Sequence, residues 1–133
     1  MAKITDHANI LISKNVPAAI LHWTEKLGFV VTGTWGDPVD FAILKRDIAY
    51  VMLAGARPEI EIVPYWKQRH NLWNAYFWVD DAKAMFEEMK ARGAKIDYEL
   101  CTQPYDVLEF GIQDPDGHDI GFGQPLRKSA AKE

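Results

Sequence analysis

The sequence predicts an α+β protein in which two tandem βαβββ modules form a curved, cavity-enclosing mixed sheet with helices outside. Short apolar runs of strand length and two helical patterns follow one another in a strand–helix–strand–strand–strand order that occurs twice. A single shift of 65 residues places Asn9 on Asn74, Asn15 on Asp80, Ala19 on Ala84 and Gly28 on Gly93, so strand, cap, helix and terminating glycine coincide without a gap. The chain has 133 residues and is 48% apolar, enough for one domain with a real core. Module one spans about 4–62, a connecting loop about 55–73 and module two about 74–124, with a tail at 126–133 that is expected to fray.

Each element follows from local chemistry. Ala8 to Ser13 is a short apolar strand. Asn15 caps the first helix, Pro17 is tolerated in its first turn, and Ile20, Trp23 and Leu27 fall at helical spacing. Gly28 ends it as a left-handed glycine would. Phe29 to Thr34 reads as a strand, Gly36-Asp37-Pro38 as a turn, and Phe41 to Leu44 and Ile48 to Leu53 as two strands hinged at 45–47. A long irregular stretch, 55–71, precedes the second module. There Asn74 to Val79 is a strand, Asp80-Asp81 caps a helix over about 82–92, and Gly93 ends it. Lys95 to Leu100, Val107 to Gln113 and Asp119 to Phe122 are strands, the last two joined by the tight turn Asp114-Pro115-Asp116-Gly117. Placed side by side, the modules are expected to share one eight-stranded sheet.

Strand alternation assigns faces. Ala8, Ile10 and Ile12 are expected to pack on the helix, leaving His7, Asn9 and Leu11 on the concave side. In module two Ala75, Phe77 and Val79 pack on the helix, and Asn74, Tyr76 and Trp78 point inward. Leu108, Phe110 and Ile112 turn Glu109 toward the concavity, where it could pair with a cation or act as a base, or be simply a surface or interface carboxylate. Ile120 and Phe122 leave Asp119, Gly121 and Gly123 inside. The result is a cavity of aromatics with a few polar groups, the usual composition of a ligand pocket; the same aromatics could instead fill a second small core. The middle loop brings Tyr65, Trp66 and Trp73 to the cavity mouth, or to the module junction or a dimer contact. Trp35 carries the same alternatives. His22, His70 and His118 are scattered and expected at the surface.

Several classes are excluded. The net charge is −4, which disfavours nucleic acid. No run approaches the ~20 apolar residues of a membrane helix. Residues 1–7 do not read as an export signal. The single cysteine, Cys101, excludes an intrachain disulfide and a Cys-based zinc site, and is expected to be inert. A cytoplasmic protein with a small-molecule ligand, no nucleic acid and no membrane partner is the expectation.

The segments Asn74-Ala75-Tyr76-Phe77-Trp78-Val79-Asp80-Asp81-Ala82, Lys90-Ala91-Arg92-Gly93-Ala94-Lys95 and Phe110-Gly111-Ile112-Gln113-Asp114-Pro115-Asp116-Gly117-His118, with Asp6-His7 and Lys26-Leu27-Gly28-Phe29 in the first half, resemble the glyoxalase/bleomycin-resistance/extradiol-dioxygenase (vicinal oxygen chelate) superfamily. The resemblance covers residues 4–124 or so and implies paired βαβββ modules, often in homodimers. Its enzymes hold a divalent metal on inward ligands from four strands; its antibiotic-binding members lack the metal and sequester drugs at the dimer interface. Carried onto this chain, the four ligand positions fall on His7, on Tyr50 or Met52, on Asn74 and on Gly121. Only His7 is a competent ligand, whereas such a site wants three or four. The resemblance therefore implies a metal-free binding protein of the bleomycin-resistance type, a homodimer without cofactor, taking an aromatic or cationic ligand. Its candidate binding residues are His7, Asn9, Trp35, Tyr50, Met52, Trp66, Trp73, Asn74, Tyr76, Trp78 and Glu109. The alternative is a lyase, isomerase or dioxygenase of the same superfamily with unusual ligands or none, using His7, Glu109 and Tyr76 as acid–base groups. No catalytic residue is assigned.

Overall fold

The computed structural model describes residues 1–127, so the expectation for the tail from residue 128 on lies outside the described residues. Module one contains β1 (Ala8–Ser13), α1 (Val16–Leu21), β2 (Val30–Trp35), β3 (Phe41–Arg46) and β4 (Ala49–Gly55). A short α2 (Tyr65–Gln68) lies in the middle loop. Module two contains β5 (Ala75–Trp78), α3 (Ala82–Ala91), β6 (Lys95–Gln103), β7 (Val107–Gln113) and β8 (Asp119–Pro125). The predicted α+β fold of tandem modules is present.

The caps act as the side-chain chemistry requires. Asn15 Oδ1 accepts from the Ala18 amide and Asp81 Oδ1 from the Ala84 amide, each satisfying an otherwise orphaned donor. Gly28 and Gly93 take φ +75° and +87°, the left-handed conformation that ends each helix. The first helix differs from expectation in one respect: beyond α1 it widens into a π-helical turn over His22–Lys26. Thr24 Oγ1 donates to the Ile20 carbonyl at 2.9 Å, competing with the regular ladder there.

The strand orders, β1-β4-β3-β2 and β5-β8-β7-β6, are the same in the two modules. In each, the first strand runs parallel to the fourth and the remaining pairs are antiparallel. The expected eight-stranded sheet is not formed: there are two separate four-stranded sheets. The modules join instead through one apolar core drawn from the helix-bearing faces of both. Trp23 packs edge-on against Phe29 at 4.9 Å and Phe77 at 6.3 Å, and Phe77 stacks on Phe122 at 5.4 Å. Leu27, Leu44, Val51, Met89, Phe110 and Ile112 belong to the same cluster. Side chains thus couple the modules, and each concave sheet face is left as a separate surface.

Two polar straps reinforce the junction. Arg46, at the end of β3, donates to both carboxylate oxygens of Glu88 on α3 at 2.9 and 2.7 Å and to the Leu27 carbonyl at 2.8 Å. Hydrogen bonding from Arg46 holds the Glu88 carboxyl below the usual carboxylate range. At the other end the Asp-Pro-Asp-Gly turn reaches β1: Asp116 Oδ1 accepts from the Lys14 amide at 2.9 Å, and His118 Nε2 lies 2.9 Å from the Ile12 carbonyl. His118 is therefore buried, contrary to expectation, because it ties the turn to module one. His22 is also largely enclosed, with neither ring nitrogen hydrogen-bonded.

The face assignment of β1 is reversed. Leu11 and Ser13 are buried, whereas Ile10 is 66% and Ile12 42% exposed. Both faces of β1 carry apolar residues, so its alternation is ambiguous; pairing decides it. Leu11 lies beside Leu53 and Asn9 beside Val51, the two buried positions of β4. Asn9 accordingly sits on the core side and not on the concave face.

Candidate functional site

The concave face of module two carries the chemistry. On β7, Phe110 and Ile112 are buried in the core and Glu109 points the other way, as alternation predicts. Its neighbours across the sheet are small. Gly111 pairs with Gly121 and Glu109 with Gly123. A Cβ at Gly121 would come within 2.7 Å of both the Trp73 indole nitrogen and the Tyr76 ring. One at Gly111 would strike Tyr98, and one at Gly123 the Tyr76 hydroxyl. The glycines are thus the bed on which three aromatic rings lie against the backbone.

Glu109 is fully buried, and its carboxylate is saturated with donors. Oε1 accepts from the hydroxyls of Tyr76 at 2.8 Å and Tyr105 at 2.9 Å. Oε2 accepts from the Tyr98 hydroxyl at 2.7 Å and Gln103 Nε2 at 3.1 Å. Trp73 Nε1 extends the network by donating to the Tyr98 oxygen at 2.9 Å. Each tyrosine gives its one proton to the carboxylate, so this is a cage built around an anion. Burial and then the hydrogen bond to Glu109 push the Tyr105 phenol up to about 12, and the same causes raise Tyr76 and Tyr98 well above the ordinary phenol range. None of the three is a base at neutral pH, and Glu109 has no lone pair left for a substrate proton. The earlier expectation that it pairs directly with a ligand or acts as a base does not fit this geometry.

Beside the cage is a cavity of about 470 Å³, within the range of small-molecule sites. Trp73, Tyr98, Tyr105, Gln103, Cys101 and the carboxylates Asp97, Glu109 and Asp119 are on its wall; no lysine, arginine or histidine lines it. Asp119 is 7% exposed, and its Oδ1 has no hydrogen-bond partner. Burial first, and then the neighbouring Asp97 carboxylate, raise the Asp119 carboxyl to about 6, against a hydrogen bond from Gln113. Burial and the Glu109 charge also raise the Cys101 thiol, in keeping with an inert cysteine.

The sequence-named residues separate into three groups. Trp73, Tyr76 and Glu109 come together in the cage, with Trp78 edge-on to Tyr76 at 4.9 Å but largely exposed. Tyr50, Met52 and Trp35 belong to module one: Tyr50 and Met52 pair with Lys45 and Ile43 of β3, and Trp35 packs on Phe41 at 5.7 Å. Trp66 and Asn74 serve the middle loop. Trp66 Nε1 donates to the Gly117 carbonyl at 2.7 Å, and Asn74 Oδ1 accepts from the Tyr65 amide at 3.0 Å. Neither lines the cavity. His7 is exposed ahead of β1.

Tyr98, Gln103 and Tyr105 escape the sequence reading. Plain alternation puts Tyr98 on the same side as Ile96, in the core. Two irregularities in the β6–β7 register, between Ile96 and Tyr98 and between Tyr98 and Cys101, re-aim it onto Gly111. Bulges do this commonly, and no residue pattern in β6 announces them.

A family model for the Glyoxalase/Bleomycin resistance protein/Dioxygenase superfamily matches residues 4–122. The chain belongs to that superfamily. Among solved structures, the bleomycin-binding protein of Streptomyces verticillus, complexed with copper(II)-bleomycin, is 27% identical with a TM-score of 0.69, covering 92% of this chain and 97% of that one. TioX of Micromonospora sp. ML1 is 19% identical with a TM-score of 0.72 (92% and 99% covered), and TnmS3, an antibiotic-binding protein of Streptomyces sp. CB03234, is 19% identical with a TM-score of 0.65 (93% and 99%). No curated protein matches the sequence.

The superfamily's enzymes imply a metal, and this donor set does not fit one. The β1 neighbours of Tyr50 and Met52 are Ala8 and Ile10, not His7. The Asn74 amide oxygen is engaged by the middle loop, and the space a side chain would need at Gly121 is filled by Trp73 and Tyr76. Among the described residues no three of His, Cys, Asp or Glu gather as a metal site.

Proposed function

We propose that this chain is a metal-free small-molecule binding protein of the bleomycin-resistance type, which sequesters an aromatic or cationic ligand in the cavity beside Glu109. The observation that carries the reading is the packing of Trp73 and Tyr76 onto Gly121, which fills the place where the resemblance puts a metal ligand. It is supported by the likeness to the bleomycin-binding protein of Streptomyces verticillus. A general acid–base role for Glu109 or Tyr76 finds no support in the saturated cage. We propose further that the working form is a cytoplasmic homodimer. The concave face of module one exposes Ile10, Ile12 and Trp35 next to Met52 and Ile43, an apolar surface suited to a second copy.

The test joins elemental analysis of the purified protein to a tryptophan-fluorescence titration with a bleomycin-type antibiotic. Absence of stoichiometric metal with saturable quenching is the expected result. About one divalent ion per chain, retained through chelation and needed for turnover of an added substrate, would replace the binding protein with an enzyme.

A further inference from the structure

The cavity wall holds a buried carboxylate, one oxygen of which has no hydrogen-bond partner in the protein. Buried polar atoms are almost always paired, so an orphan in a cavity wall points to an absent donor. Asp119 Oδ1 is such an atom, in a residue 7% exposed that lines the cavity. It differs from its neighbour Glu109, whose two oxygens already accept four hydrogen bonds within the protein. Glu109 can therefore contribute charge but not a contact, whereas Asp119 can make one.

The surroundings narrow the donor. Three carboxylates and no basic side chain line the cavity. The field inside is negative, which repels anions and gathers cations. Beside Asn71, Cys101 and Gln103, the rest of the wall is formed by Trp73, Tyr98 and Tyr105, and aromatic rings attract organic cations. A hydrated metal ion is a poor fit to ring faces, and a neutral donor leaves the negative field uncompensated. From these groups, and resting on the small-molecule-binding role proposed above, we infer that the ligand carries a protonated amine or guanidinium whose N–H pairs with the Asp119 carboxylate. The aromatic cage holds the apolar part of the same molecule.

Three probes of one shape test this on the whole wild-type protein: protonated naphthylmethylamine, its neutral isostere naphthylmethanol, and the quaternary naphthylmethyl-trimethylammonium, which keeps the charge but has no N–H. Binding is read as quenching of tryptophan emission and checked by calorimetry. The amine is expected to bind at least about tenfold more tightly than the alcohol, as a charge-assisted hydrogen bond in a shielded site allows. The trimethylammonium compound should lose most of that advantage. Asp119→Asn, with its fold checked by circular dichroism, should weaken the amine about tenfold and leave the alcohol unchanged. Equal affinity for amine and alcohol overturns the inference while leaving a binding protein in place. Quaternary and primary amines of equal strength overturn the role of Asp119. If none of the three binds, the small-molecule reading falls with it. The wild-type comparison stands even if the Asp119 variant fails to fold.

Discussion

At the scale of single residues, the decisive fact about Glu109 is its partner count. A fully buried carboxylate is costly unless its lone pairs are satisfied, and here four donors satisfy them. Replacing it by glutamine puts an amide donor against hydroxyl donors. Glu109→Gln should cost about 2–4 kcal/mol in urea unfolding, whereas Tyr105→Phe, which removes one hydrogen bond at the exposed rim, should cost about 1 kcal/mol or less. Equal losses would mean the cage is not a unit. His22 supplies a pH dependence. Burial, aided by Lys26, lowers its imidazole to about 4, so the folded protein holds it neutral while the unfolded chain protonates it near 6.5. Its contribution is fully present above 6.5 and is lost as the pH falls toward 4. Asp114 and Asp119, both raised to about 6 chiefly by burial, act with opposite sign: they favour folding below their unfolded values and lose that contribution as the pH rises through 6. His22→Leu removes the one contribution of these three that grows with pH, so it should make the slope of stability against pH between 4 and 6.5 more negative, measured by thermal melts; an unchanged slope would remove His22 as a contributor.

Elements explain how those residues are brought together. β7 and β8 offer Gly111, Gly121 and Gly123 on one face, and the rings of Trp73, Tyr76 and Tyr98 settle on them. Gly121 lies outside the left-handed region, so alanine is tolerated by its backbone and only the ring contact is at stake. Gly121→Ala should lower stability by roughly 1–3 kcal/mol and shift the tryptophan emission by displacing Trp73. Loss of ligand quenching with the fold retained is expected alongside. A variant with unaltered emission and affinity would show that the bed does not hold the site. Much at this scale is legible in the chain: Asn15, Asp81, Gly28 and Gly93 announce both helices, and the inward places of Tyr76, Glu109 and Asp119 follow from apolar neighbours on a single side. β1 is not legible, because Ile10 and Leu11 are equally apolar and only the pairing of Leu11 with Leu53 chooses between them. Tyr98 is hidden for another reason, the two register shifts that change the phase of β6.

Across the whole molecule, the modules share a core through their helix-bearing faces and turn separate concave faces outward. Module two's face is polar and ringed with tyrosines; module one's is apolar and exposed. If a second copy covers Ile10 and Ile12, Ile10→Asp should convert a dimer to a monomer in sedimentation velocity at micromolar concentration, with little change in helix and strand content. A native chain that sediments as a monomer would count against the dimer. By itself the sequence determined the fold class, the twofold repeat and the superfamily, because caps, turn residues and strand alternation are local signals carried by neighbouring residues. Through its resemblance to the superfamily it also implied that three of the four metal-ligand positions lack a competent side chain. Only the tertiary structure decided that the sheets are separate, that Glu109 is enclosed by Tyr76, Tyr98, Tyr105 and Gln103, and that Asp119 is left with an unpaired oxygen. Those facts depend on register, bulges and contacts between residues far apart in the chain, and hydrogen-bond satisfaction has no meaning until both partners have a place.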